Sequence, residues 1–130
     1  MKHHSTNYLN TFIEAAEDCP VAVGAVPPEK TPKTVARAEY DMLSGSPYLY
    51  TSDDVLYAII GEPKGISLDE FFSKGQPCFR ASPLTRHYGW GVHSDSDGKI
   101  ALYAMDSDQY KLLVADETIK HVKAMCQSKK

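Results

Sequence analysis

The stretch Tyr88-Gly89-Trp90-Gly91-Val92-His93-Ser94-Asp95-Ser96-Asp97-Gly98-Lys99-Ile100-Ala101-Leu102-Tyr103-Ala104 carries the clearest β signal in the chain. Tyr88, Trp90 and Val92 alternate with Gly89, Gly91 and His93, and Ile100, Leu102 and Ala104 repeat the pattern beyond a turn-rich centre. Two registers are open. A two-residue Asp97-Gly98 loop puts Trp90 and Val92 on the face opposite Leu102 and Ile100. A three-residue loop, Ser96 to Gly98 with Gly98 left-handed, brings both apolar sets onto one face and sets Tyr103 opposite Gly91. The second register is expected, because it gives the hairpin one buried side.

Outward from the hairpin, helical signals dominate. Thr34 precedes Val35, Ala38, Met42 and Leu43, which share one helical face, and Gly45 and Pro47 supply the stop. Ser52 reads as an N-cap, with Asp53 and Asp54 in the first turn and Val55, Leu56, Ile59 and Ile60 as a buried stripe. Ser67 to Glu70 has capping-box spacing and opens a short helix through Phe71 and Phe72. A fourth helix is expected from Ser107 to about Ala115, and a fifth using Ile119, Val122 and Cys126. Residues 8–16 fit a helix (Leu9, Phe12, Ile13, Ala16) or a strand (Thr11 to Ala15) equally well. Pro20 limits either. The expected fold is α+β: a small antiparallel sheet containing the 88–104 hairpin, covered on one face by helices, in one domain spanning 1–130.

Composition narrows the function classes. The chain has 130 residues, a length that suits one domain. Its net charge of −3 argues against nucleic-acid binding by bulk electrostatics. No apolar run approaches the roughly 18 residues of a membrane helix. The first residues lack the apolar core of a signal peptide, and the cysteines, Cys19, Cys78 and Cys126, are odd in number and far apart. Reduced thiols and a cytoplasmic location follow as expectations. No metal-ligand spacing and no cofactor motif is present, so neither a metal nor a cofactor is expected.

One local charge reversal stands out. Residues 74–93 contain Lys74, Arg80 and Arg86 with no carboxylate, in a chain that is acidic as a whole. Such a segment suits a phosphate, carboxylate or nucleotide, whose paired oxygens fit guanidinium forks. Arg80, Arg86 and His87 are the expected contacts, with Tyr88 and Trp90 as a stacking surface. The structural alternative has both arginines paired with acids and both aromatics in the core. Gly89 and Gly91 strip one strand face of side chains, which leaves room for a ligand or for Tyr103. Cys78, with His87 or His93 as base and Asp95 as orienting group, has the residue types of a thiol enzyme. A homodimer through an exposed strand or helix face is the third possibility. The loop from His93 to Gly98 fails as a calcium loop, since His93 and Ala104 fall where carboxylates are required.

Several blocks together resemble a known family: Asn10 to Glu14 with Asp18-Cys19-Pro20; Tyr50 to Leu56; Lys74 to Cys78 with Ser82-Pro83-Leu84; and Tyr88-Gly89-Trp90-Gly91 with His93-Ser94-Asp95. The family is a set of small, mostly bacterial proteins known as a domain of unknown function, DUF6157. The resemblance spans nearly the whole chain and implies a stand-alone protein. It implies no activity and no site residues.

Overall fold

The computed structural model describes residues 5–31, 33–76 and 78–125. Its centre is a four-stranded sheet: β1 (Thr11–Glu14), β2 (Trp90–Ser94), β3 (Ile100–Ala104) and β4 (Lys120–Lys123), in the order β3-β2-β1-β4. The class is α+β, as expected. The hairpin has the expected register, with Val92 opposite Leu102 and Gly91 opposite Tyr103. Its three-residue loop closes through Gly98 at φ +80°. The Asp95 carboxylate organises that loop by accepting from the backbone N–H of Asp97 and of Lys99, each at 2.9 Å.

The ambiguous segment at 8–16 is a strand, and it sits in the middle of the sheet. Phe12 and Ile13 explain why. As neighbours on a strand they point to opposite faces, and both are buried to 1% exposure or less. β1 pairs antiparallel with β2 and parallel with β4. The sheet is therefore mixed, which corrects the purely antiparallel expectation. The expected fifth helix is β4 instead, so the helical reading of Ile119 and Val122 was wrong; Cys126 lies outside the described residues. Only Val122 of this strand faces the core, and the free edge carries Lys120, His121 and Lys123. Charged side chains, lysine above all, are a common defence of an open sheet edge.

One face of the sheet, carrying Ile13, Val92 and Ile100, packs against Leu43 of α1 (Val35–Ser44), Val55 of α2 (Ser52–Leu56), Phe79 and Leu84. The helix expected from Thr34 is present with Thr34 as its cap, and Thr51, one residue before the expected Ser52, caps α2 in a reciprocal box with Asp54. The α2 helix widens into a π-helical turn at Tyr57–Gly61 and tightens into a 3-10 turn at Glu62–Lys64. Ser67 caps α3 (Leu68–Phe71). Leu56, Phe71 and Phe72 form a second, smaller core beneath these turns. Pro83–Arg86 forms α4, with Ser82 as its cap and Pro83 at the position where a missing N–H costs nothing. The last helix, α5 (Asp108–Ala115), begins at Ser107 as expected but covers the opposite face, so helices lie on both sides of the sheet. Tyr110 of α5 stacks edge-on against Phe12 at 5.0 Å between ring centres.

The two alternate glycines are explained by the chain itself. A Cβ on Gly91 would lie 2.6 Å from the Phe12 ring and 2.7 Å from the Tyr110 ring. Gly89 has φ +77°, and its missing Cβ leaves room for the carbonyl oxygen of Val23. Gly91→Ala should therefore cost about 1–3 kcal/mol, the range for overpacking a core. Gly45→Ala, whose added carbon meets nothing within 4 Å, should stay within about 0.5 kcal/mol of wild type. Urea unfolding of the two variants checks the contrast, and equal effects would contradict this packing.

Candidate functional site

The basic segment is split up by the fold. Arg80, in the 3-10 turn Phe79–Ala81, turns toward the end of β4, where its Nε donates to the Lys123 carbonyl at 2.7 Å. Arg86 lies half-buried at the C-terminal end of α4. The two arginines thus stand on different elements. Ser82-Pro83 starts a helix here and does not loop back, and a Ser cap before a Pro was the readable signal for it. His87 ends α4, its N–H donating to the Pro83 carbonyl. The Tyr88 carbonyl accepts from Ala25 N–H, and the Trp90 indole donates to the Ala25 carbonyl at 2.8 Å. Trp90 is only partly buried, and it packs against the main core and near the Tyr40 ring. The chain itself thus occupies the aromatic that the sequence offered for stacking.

Among the described residues no hydrogen bond joins Cys78 to His87 or His93. Cys78 precedes Phe79 on the core side of the sheet, with its sulfur 3.7 Å from the Tyr8 hydroxyl. Burial pushes the Tyr8 phenol up, the hydrogen bond with Cys78 adds to this, and the nearby Arg80 opposes it. His93 is on the opposite face, its Nδ1 hydrogen-bonded to the Tyr48 hydroxyl at 2.8 Å. Tyr48 in turn meets the Tyr103 hydroxyl at 2.7 Å, and it holds φ +60° as its segment runs along the outer edge of β3. Burial lowers the His93 pKa more than Asp95 and Asp116 raise it, and burial pushes the Tyr48 phenol far up. This chain of neutral groups pins the 46–50 segment to the sheet.

The residue that sequence reading missed is Glu39. The expected inner face of α1 was Val35, Ala38, Met42 and Leu43. The buried face is Ala36, Glu39 and Leu43, with Val35 at 42% exposure. Glu39 is only 2% exposed. The Ser82 hydroxyl donates to its Oε1 at 2.7 Å while accepting from Leu84 N–H, so one serine both caps α4 and holds the carboxyl. Among the described residues this is the only hydrogen bond to the Glu39 carboxyl. Glu39 lines a cleft of about 70 Å³ with Val35, Leu56, Ile60, Cys78 and Pro83, and among the described residues no cation is in its wall. Burial pushes its pKa up to about 7 from the usual 4.5, and the Ser82 hydrogen bond only partly opposes this.

A second cleft, of about 210 Å³, lies beside the first, and Ile60 lines both. Its floor is Ile60, Ile66 and Phe71, and its rim carries Lys64, Lys74, Glu70 and Gln76. Among the described residues neither lysine is in an ion pair. The π-helical turn carries Ile60 at this junction, and such turns concentrate at functional sites. Of these groups, Lys74 and Gln76 belong to the basic segment singled out in the sequence. The described residues contain no cluster of three or more His, Cys, Asp or Glu able to hold a metal, and no helix long and apolar enough to cross a membrane.

Glu39 makes a stability prediction with a definite sign. Between pH 4.5 and 7 the folded protein retains a proton that the unfolded chain has released, so the Glu39 contribution is greatest below pH 4.5 and is lost as pH rises through 7. At about 1.4 kcal/mol per pKa unit, the loss is roughly 3 kcal/mol. Glu39→Gln keeps the acceptor for Ser82 and cannot ionise. It should exceed wild type in stability by about 3 kcal/mol at pH 8 and match it below about pH 4.5. Urea denaturation of both proteins across this range checks it. A difference that does not change with pH would contradict the assignment.

No curated protein and no solved structure matches this chain. A family model described as a family of unknown function (DUF6157) matches residues 3–130, nearly the whole length. The blocks that carried the resemblance in the sequence supply β1, the start of α2, the approach to α4 and the hairpin, and the chain belongs to this DUF6157 family.

Proposed function

We propose that the protein binds a small organic anion in the cleft rimmed by Lys64 and Lys74. One observation carries the reading: two cations without ion-pair partners among the described residues stand over an apolar floor of Ile60, Ile66 and Phe71. Binding sites typically combine an apolar concavity with a few polar groups that fix orientation. A carboxylate or phosphate fits the rim, and a short apolar body fits the floor. The anionic ligand expected from the basic segment is thus retained, but its site is centred on the lysines and not on Arg80 and Arg86. The thiol-enzyme alternative has less support, because among the described residues Cys78 is hydrogen-bonded to Tyr8 and to neither candidate histidine. A cytoplasmic setting agrees with the free thiols of Cys19 and Cys78.

Thermal shift and calorimetry with hexanoate, succinate and inorganic phosphate test the reading. At about 100 times its dissociation constant, a bound anion should stabilise the wild type by roughly 2.7 kcal/mol. Lys64→Ala combined with Lys74→Ala should remove the effect while leaving the unliganded melting temperature nearly unchanged, since both lysines are exposed. If no anion stabilises the wild type, or the double variant gains equally, the reading fails.

A further inference from the structure

The two clefts differ in charge and share a wall. One is small and mostly apolar, with the Glu39 carboxyl in its lining, and the other carries two lysines with Glu70 and Gln76 around an apolar floor. Ile60 belongs to both, and Lys64 follows it by four residues, about one helical turn away.

We propose that the two clefts form one site for a zwitterion, a short aliphatic amino acid whose ammonium group enters the Glu39 recess while its carboxylate meets Lys64 and Lys74. This rests on the anion reading above and extends it by naming the other end of the ligand. The chemistry of the recess points to an ammonium. A carboxyl buried to 2% exposure, with Ser82 its only hydrogen-bond partner among the described residues, is unfavourable when ionised unless a cation joins it. Among the described residues the recess wall contributes none: Val35, Leu56, Ile60, Ala81 and Pro83 are apolar, and Cys78 and Ser82 are the other polar residues that line it. An ammonium supplies the missing charge together with three N–H donors, one of which reaches Glu39. The apolar walls accept the methylenes next to it. At about 70 Å³ the recess suits an ammonium and one or two carbons, well under the roughly 150 Å³ of a cavity that holds benzene. The wider cleft then takes the rest of the chain and its carboxylate.

The test compares ligands of equal length on the intact protein by isothermal titration calorimetry at pH 7.5: 4-aminobutanoate with butanoate, and 6-aminohexanoate with hexanoate and hexylamine. In at least one pair the zwitterion should bind tenfold or more tightly than the carboxylate alone. Glu39→Gln should erase that advantage and leave carboxylate binding in place. Lys64→Ala should weaken the zwitterion and the carboxylate by the same factor. The wild-type comparison stands alone if a variant fails to fold. Zwitterions binding no better than the matching carboxylates would overturn the inference and leave the anion reading intact. Hexylamine binding as tightly as 6-aminohexanoate would overturn it too, by removing the lysines from recognition. If neither carboxylates nor zwitterions bind, the inference falls, and the anion reading falls with it when inorganic phosphate does not bind either.

Discussion

The fold depends on four residues of β1 having both of their edges and both of their faces occupied. Its edges are paired by β2 and β4, so the strand joins the hairpin to the C-terminal strand. Its faces are Phe12 and Ile13, each completely enclosed. Ile13 belongs to the main core with Leu43, Val55, Phe79 and Leu84. Phe12 lies under Tyr110, against the bare backbone of Gly91. The ends of the strand are also tied: Asn10 N–H donates to the Asp95 carbonyl, and Ala16 N–H to the Thr85 carbonyl. The second tie fixes where α4 sits, and with it the Ser82 that holds Glu39.

From that fixed frame the site follows in steps. Ser82 caps α4 through its hydroxyl oxygen and spends its proton on Glu39. This draws α1 and α4 together with a carboxyl between them, where an apolar side chain would ordinarily pack. Burying that carboxyl opposes folding at neutral pH, because the ionised form loses its hydration and gains only one neutral hydrogen bond. On the other wall, α2 widens at Tyr57–Gly61, where a Cβ on Gly61 would collide with the rings of Tyr57 and Phe71. The widened turn carries Ile60, which divides the acidic recess from the lysine-rimmed cleft.

Much of the fold was legible in the residues. The hairpin register followed from keeping Trp90, Val92, Ile100 and Leu102 on one side, and the caps at Thr34, Ser67 and Ser107 are local chemistry that tertiary packing did not override. β4 was not legible, because a four-residue edge strand with one inward side chain has too few apolar positions to separate period two from period 3.6. The site was mostly illegible for a related reason. Ala36, Glu39 and Leu43 form as good a helical stripe as Val35, Ala38, Met42 and Leu43. A glutamate normally decides such a choice in favour of solvent. Its burial is the exception that marks the recess, and it depends on Ser82, 43 residues away. The basic segment misled in the opposite way. Its charges adjoin in sequence, yet the 3-10 turn and α4 send Arg80 to β4 and Arg86 to the end of α4.

The central claim is that Glu39 is a buried, protonatable group at a ligand site and not a surface carboxylate of α1. Carboxyl carbon-13 NMR of glutamate-labelled protein, assigned by Glu39→Gln, measures this directly. The account predicts a Glu39 resonance that titrates near pH 7 in the free protein and at clearly lower pH when 6-aminohexanoate or its four-carbon analogue is bound. A Glu39 resonance titrating near 4.5, the value of an exposed carboxyl, with no response to either zwitterion, would contradict it.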